Sequence, residues 1–102
     1  MTFTFLYVTA STTPEASKIA RHLLQKRLIA CANIFPISSL YWWQGRIQEE
    51  KEAVLILKAL QQKIKAVTIE IEKIHSYSIP GIMEMKVKPN LKYGKWWRGE
   101  IR

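Results

Sequence analysis

The sequence predicts an α+β fold whose elements run β-α-β-β-α-β, and three observations predict it. Apolar residues recur at helical spacing in two separate stretches, runs rich in β-branched and aromatic residues flank those stretches, and Gln44-Gly45 interrupts the longest run with a tight-turn signal. Thr2 to Thr9 reads as the first strand. Ser11, Thr12 and Thr13 then offer N-caps, with Pro14 suited to a first helical turn. Ala16, Ile19, Ala20, Leu23, Leu24 and Leu28 fall on one stripe, so a helix is expected to end near Leu28. Ala30 to Ile37, bent at Pro36, and Leu40 to Trp43 run out to the turn, and Arg46 to Leu57 returns as the other arm of a long hairpin. Gln61 to His75 carries Ile64, Val67, Ile71 and Ile74 at steps of three, four and three, a second amphipathic helix. Pro80-Gly81 breaks the chain, and Met83, Met85 and Val87 alternate with charged residues as a last strand. Two helices crossing over to one antiparallel sheet is the split β-α-β, ferredoxin-like arrangement, with both helices on one face. The residues after Val87 are expected to add a short extra element.

At 102 residues the chain suits one domain, 1–102, so a site must lie on one core or between copies of it. Hydrophobic residues make up 48% and charged residues 24%, values of an ordinary globular protein. No apolar run approaches the ~20 residues needed to cross a bilayer, so no membrane partner is expected. The first basic residue is Lys18 and Phe3 to Val8 is interrupted by Thr4, a poor match to a cleaved signal. A single cysteine, Cys31, allows no intrachain disulfide, and a cytoplasmic location is expected.

The residue inventory excludes several chemistries. All eight acidic residues are glutamates, which removes Ser-His-Asp triads and Asp-led calcium loops. The four glycines are scattered, so no phosphate-cradling loop exists. Cys31 and His75 lack a sequence-evident orienting acid, and no catalysis is expected. The net charge is +8, and residues 86–102 hold Lys86, Lys88, Lys92, Lys95, Arg98 and Arg102 against Glu100, with Tyr93, Trp96 and Trp97 interleaved. Such a tail suits single-stranded nucleic acid, but Val54 to Lys58 lacks the stacking rings of RNA-recognition sheets, which makes nucleic acid the lesser reading.

Neighbouring strand residues point to opposite faces, so Trp42 and Trp43 cannot share one core, and Val54 to Leu57 suits a strand covered on both faces. The second face is covered either by the tail or by another subunit. The subunit interface, anchored by Trp42 and Trp43, is the preferred reading.

The segments Arg27-Leu28-Ile29-Ala30-Cys31-Ala32-Asn33-Ile34-Phe35-Pro36, Ser39-Leu40-Tyr41-Trp42-Trp43-Gln44-Gly45-Arg46-Ile47, Leu55-Ile56-Leu57-Lys58 and His75-Ser76-Tyr77-Ser78-Ile79-Pro80-Gly81-Ile82 together resemble CutA, the divalent-cation tolerance protein family. The resemblance spans nearly the whole chain and implies a ferredoxin-like subunit that assembles as a homotrimer through its long hairpins. It implies a part in tolerance of copper and other divalent cations without a defined reaction. The trimer is also similar to that of PII signalling proteins, which implies small-ligand sensing as the alternative. The chain departs from the family pattern at Ser76, Ser78 and Gly81, where a proline and two glutamates are usual, and at Asn90, where a glycine is usual.

Copper(II) or another divalent cation, weakly bound, is therefore the expected ligand, and imidazole, thiolate and thioether groups are its natural donors. His75 and Cys31 are the metal candidates; His22 reads as a surface residue, Met83 and Met85 as core, and Met1 completes the set. Tyr41, Trp43, Arg46, Glu49, Glu52, Lys58 and Tyr77 match characteristic polar or aromatic positions of the family and are expected to line a cleft between subunits.

Overall fold

The computed structural model describes residues 2–102; Met1, one of the thioether candidates, lies outside the described residues. Strands β1 (Phe3–Ala10), β2 (Cys31–Trp43), β3 (Arg46–Leu60) and β4 (Ile82–Val87) form one antiparallel sheet in the order β2-β3-β1-β4. Helices α1 (Thr13–Gln25) and α2 (Ile64–Ile74) cross over on one face, and α3 (Leu91–Glu100) follows the last strand. The predicted element order holds, with α3 as the expected extra element.

Strand alternation builds the main core. In β1, Thr4, Leu6, Val8 and Ala10 point to the helices and are fully buried, while Phe3, Phe5, Tyr7 and Thr9 point away and are half-buried. Ala53, Leu55, Leu57 and Ala59 of β3 join the first set, and Ala16, Ile19, Ala20, Leu23, Val67 and Ile71 close the layer from the helices. Thr4 is accommodated there because its hydroxyl donates to Gln61 Oε1 at 3.1 Å.

Several boundaries differ from the sequence expectation, β3 among them, which runs on past Leu57 to Leu60. Helix α1 ends at Gln25 rather than near Leu28, because Arg27 turns left-handed at φ 58°. The Arg27 N–H donates to Leu24 O and the Leu28 N–H to Leu23 O, the paired bonds of a Schellman stop formed without glycine. Residues 61–63 form a 3-10 turn that leads into α2. Strand β2 runs through Pro36 as expected, pairing with β3 from Cys31 to Trp43 without interruption, and it lies at the sheet edge, where a proline is tolerated. Gln44 and Gly45 both have positive φ, 51° and 77°, the type I′ geometry that matches the twist of a two-residue hairpin.

The second face of the sheet is divided. At one end, Trp97 of α3 is 1% exposed, meets Phe3 edge-on at 4.9 Å, stacks near Phe5 at 6.0 Å, and donates its indole N–H to Ala59 O at 3.1 Å. Gly94 allows this approach, since a Cβ there would lie 3.2 Å from the Phe3 ring. The tail thus covers part of the second face. At the other end Met83 and Met85 are 57% and 44% exposed, which corrects the core reading of these residues: their strand face is the one away from α1 and α2. Phe35 and Trp43 are exposed on this face and Trp42 on the opposite one, while Val54, Leu55 and Leu57 are fully buried and Ile56 is half-buried, so the two-faced reading holds only in part.

Trp97→Ala should cost about 3 to 5 kcal/mol in urea unfolding, because it removes a fully buried ring and its hydrogen bond together. A loss under ~1 kcal/mol would show that α3 is not a structural part of the sheet's second face.

Candidate functional site

Strand β3 outruns β1. Its residues 53–60 pair with β1, and its residues 46–52 pair with β2 alone, so the hairpin arm projects beyond the helical layer. The segment after α2, residues 75–81, lies against the base of this arm. Between them opens a groove of about 730 Å³, lined by Thr9, Ser39, Tyr41, Trp43, Gln48, Glu50, Glu52, Ser76, Tyr77, Ser78, Ile79 and Gly81 among others.

Period two explains which hairpin residues reach it. Glu52, Glu50 and Gln48 share the second face with their cross-strand partners Ile37, Ser39 and Tyr41, and Trp43 lies opposite Arg46. Tyr41, Trp43, Glu52 and Tyr77, four of the seven expected cleft residues, therefore converge on one groove. Arg46 sits at the hairpin tip, outside the lining. Glu49, opposite Leu40, lies on the other face of the arm. Lys58 is six residues from Glu52 toward the far end of the sheet, where its ammonium donates to Tyr93 Oη at 2.9 Å and approaches Cys31 Sγ at 3.6 Å. The Tyr93 contact raises the Lys58 pKa against the opposing effect of burial.

A chain of hydrogen bonds holds the 75–81 segment. The His75 side chain is fully buried; its Nε2 lies 2.8 Å from Thr9 O, and its Nδ1 accepts the Tyr77 N–H at 3.0 Å. Those partners fix the tautomer, with the proton on Nε2. The Tyr77 hydroxyl donates to Glu52 Oε2 at 2.5 Å, closing the groove floor. Burial first, then that carboxylate, pushes the Tyr77 phenol well above its ordinary value. The Tyr41 phenol is raised too, by desolvation and then by the neighbouring Glu50.

Glu15 anchors the same segment from the other side. Its Oε1 accepts the Ser11 N–H at 2.9 Å and the Ser11 hydroxyl at 2.8 Å, and its Oε2 accepts the Ser76 N–H at 2.8 Å. Burial works to raise this carboxyl, but the bonds from Ser76 and Ser11 hold it at about 2. The sequence reading did not single out Glu15, although Thr12-x-x-Glu15 has the spacing of a helix-start box and the Thr12 hydroxyl does accept the Glu15 N–H.

His75 and Cys31 are not brought together. His75 is at the Thr9 end of the sheet with both nitrogens engaged, and Cys31 is at the Lys58 end. His22 is half-buried rather than free on the surface, 2.8 Å from Glu70, whose carboxyl His22 and then Lys73 lower to about 2. Among the described residues no three His, Cys or Glu side chains cluster as a metal-binding group.

The strand order β2-β3-β1-β4, with α1 and α2 as crossovers on one face, places the protein in the split β-α-β, ferredoxin-like class. Residues 4–100 match the family model described as CutA1 divalent ion tolerance protein, and the chain belongs to that family. It is 41% identical over 96 residues to the divalent-cation tolerance protein CutA of Archaeoglobus fulgidus, covering 94% of each chain. With the CutA of Thermotoga maritima it shares 41% identity over 97 residues, 94% of this chain and 96% of the relative. Among solved structures, CutA1 from Oryza sativa superposes with a TM-score of 0.96 at 32% identity, over 100% of this chain and 95% of that one. The periplasmic divalent cation tolerance protein CutA from Archaeoglobus fulgidus gives 0.93 at 38% identity, over 98% and 99%.

Glu15→Gln should cost about 2 kcal/mol near neutral pH, because an amide cannot accept at both ends from Ser11 and Ser76. The carboxyl is lowered in the folded state, so its contribution is full above the ordinary value of 4.5 and is lost as the pH falls through about 2. Parent and variant should converge in urea midpoints between pH 5 and pH 2.5. A pH-independent gap would mean that the charge of Glu15 does not hold the segment.

Proposed function

We propose that this protein serves divalent-cation tolerance as a homotrimer that holds copper(II) or another divalent cation weakly and catalyses no reaction. The observation that carries this reading is the convergence of Glu50, Glu52, Tyr41 and Tyr77 oxygens on one open groove, in a chain of the divalent ion tolerance family. Carboxylate and hydroxyl oxygens facing solvent suit an exchangeable ion rather than a caged one. His75, with both nitrogens engaged, acts here by orienting Tyr77, and Cys31 stands apart from the groove. The reading without catalysis is supported by the family description, which names ion tolerance rather than a reaction.

Assembly is supported by exposed apolar side chains, Phe35, Trp43, Met83 and Met85 on the face that α3 covers only in part and Trp42 on the other, and by two unpaired sheet edges at β2 and β4. The single thiol, Cys31, supports a reducing compartment, the cytoplasm. A second reading, small-ligand sensing of the PII kind, is favoured by one observation: the groove's volume falls within the ~300–1,000 Å³ of small-molecule sites.

Native mass spectrometry with copper(II), and zinc as control, tests the proposal. A trimer that takes up copper saturably, with uptake weakened about tenfold in Glu52→Gln, is the expected result. A trimer indifferent to both metals would leave the sensing reading in its place. In sedimentation, Trp42→Ala and Trp43→Ala should each shift the protein toward smaller species, and unchanged sedimentation of both would remove these residues from the interface.

A further inference from the structure

The groove carries a charge opposite to that of the protein. The chain has a net charge of +8, yet the groove lining holds two carboxylates, Glu50 and Glu52, and no lysine, arginine or histidine. The nearest basic side chain along its face of β3 is Arg46 at the hairpin tip, opposite Trp43 and outside the lining. Anionic ligands would meet only like charge here, so a cation is the matching occupant.

The lining also selects among cations. Three aromatic rings border the groove, Tyr41 and Trp43 from β2 and Tyr77 from the facing segment. Such rings attract an alkylammonium group through their faces and pack its methylene chain, whereas a strongly hydrated metal ion gains nothing from them. Glu50 and Glu52 are two residues apart on one strand face, a separation of about 6 to 7 Å. That is the span between the two ammonium groups of a short linear diamine. Glu52 already accepts the Tyr77 hydroxyl, but a carboxylate has about four acceptor positions and keeps room for an ammonium donor. Ser39 and Ser78 add hydroxyl acceptors on either wall.

We propose that the groove between the hairpin arm and residues 75–81 binds linear aliphatic diamines and polyamines, with Glu50 and Glu52 each taking one ammonium group and Tyr41, Trp43 and Tyr77 enclosing the methylene chain. This shares the groove of the proposed function but not its ligand, so the two stand or fall separately.

Titration of the intact protein with 1,4-diaminobutane and with spermidine, followed by calorimetry and by tryptophan fluorescence, tests it. Saturable binding is expected, weakened about tenfold or more in Glu50→Gln and in Glu52→Gln, and unchanged in Glu72→Gln, an exposed glutamate of α2 outside the groove. Tyr41→Phe should keep most of the affinity and Tyr41→Ala should lose it, with circular dichroism and sedimentation confirming that each variant is folded and assembled. Absence of saturation at millimolar amine, or equal affinity in Glu50→Gln, Glu52→Gln and the parent, overturns the proposal. Copper(II) is titrated in parallel: copper uptake without amine binding overturns this inference and keeps the metal reading, while amine binding without copper uptake does the reverse.

Discussion

The length mismatch between β3 and β1 is the constraint on which the rest of the molecule depends. Because β1 ends at Ala10, opposite Ala53, the remaining seven residues of β3 have β2 as their only partner, and the molecule stretches to 45 Å against 24 and 21 Å across. A two-stranded ribbon standing alone is marginal in water, so its register needs a strong local determinant. The Gln44-Gly45 turn supplies one: both residues occupy positive φ, which fixes the Trp43-Arg46 pairing and every pair below it. The same projection creates the groove, since residues 75–81 can lie against a ribbon only where no helix covers it.

The groove is then shaped from behind by buried polar bonds. His75 ties the chain to Thr9 at the end of β1 and receives the Tyr77 amide, Tyr77 reaches Glu52 on the ribbon, and Glu15 at the start of α1 holds Ser76. Three elements that are distant in sequence are thereby fixed to one short segment. No buried side-chain polar atom among the described residues lacks a partner, so the network is closed rather than partly satisfied, the condition under which such networks specify one arrangement. Ser76 and Ser78 keep the segment polar, and the Ser76 contact uses its backbone N–H, a donor that the proline usual at this position of the family pattern would lack, so the change supplies the anchor to Glu15.

The main core was legible in the sequence because it rests on periodicity alone: stripes such as Ile64, Val67 and Ile71 at helical spacing and Leu6, Val8 and Ala10 at strand spacing admit one layered solution. Boundaries set by non-glycine residues in glycine-like conformations, Arg27 foremost, left no such signal. Nor did composition show that Met83 and Met85 face away from the helices. Alternation along β4 places them together without saying which face is covered, and only pairing with Phe5 and Tyr7 decides it. For the groove, the residue types were readable but the grouping was not. Glu49 and Glu52 look equivalent as a charged run; counting by twos back from the Trp43-Arg46 pair would have separated them and added Gln48, Glu50 and Ser39.

The division of the sheet's second face shows how far the tail can serve as its cover. Trp97 needs a hydrogen-bond acceptor and an apolar bed, and the end of β3 gives it both, through Ala59 O and the Phe3-Phe5 rings. Trp96, one residue earlier, points away from that bed and remains 43% exposed, because adjacent helical residues differ by about 100° and cannot share one surface. A ten-residue helix therefore covers one end of the face and cannot extend to Tyr7, Met83 or Met85. Trp43 shares that open face along the arm, whereas Trp42, paired with Ile47, is 72% exposed on the opposite face and is out of reach of α3 altogether. Helix α3 thus accounts for the Phe3-Phe5 end of the second face, and the groove, with Trp43 on the same face of the arm, lies beyond its reach.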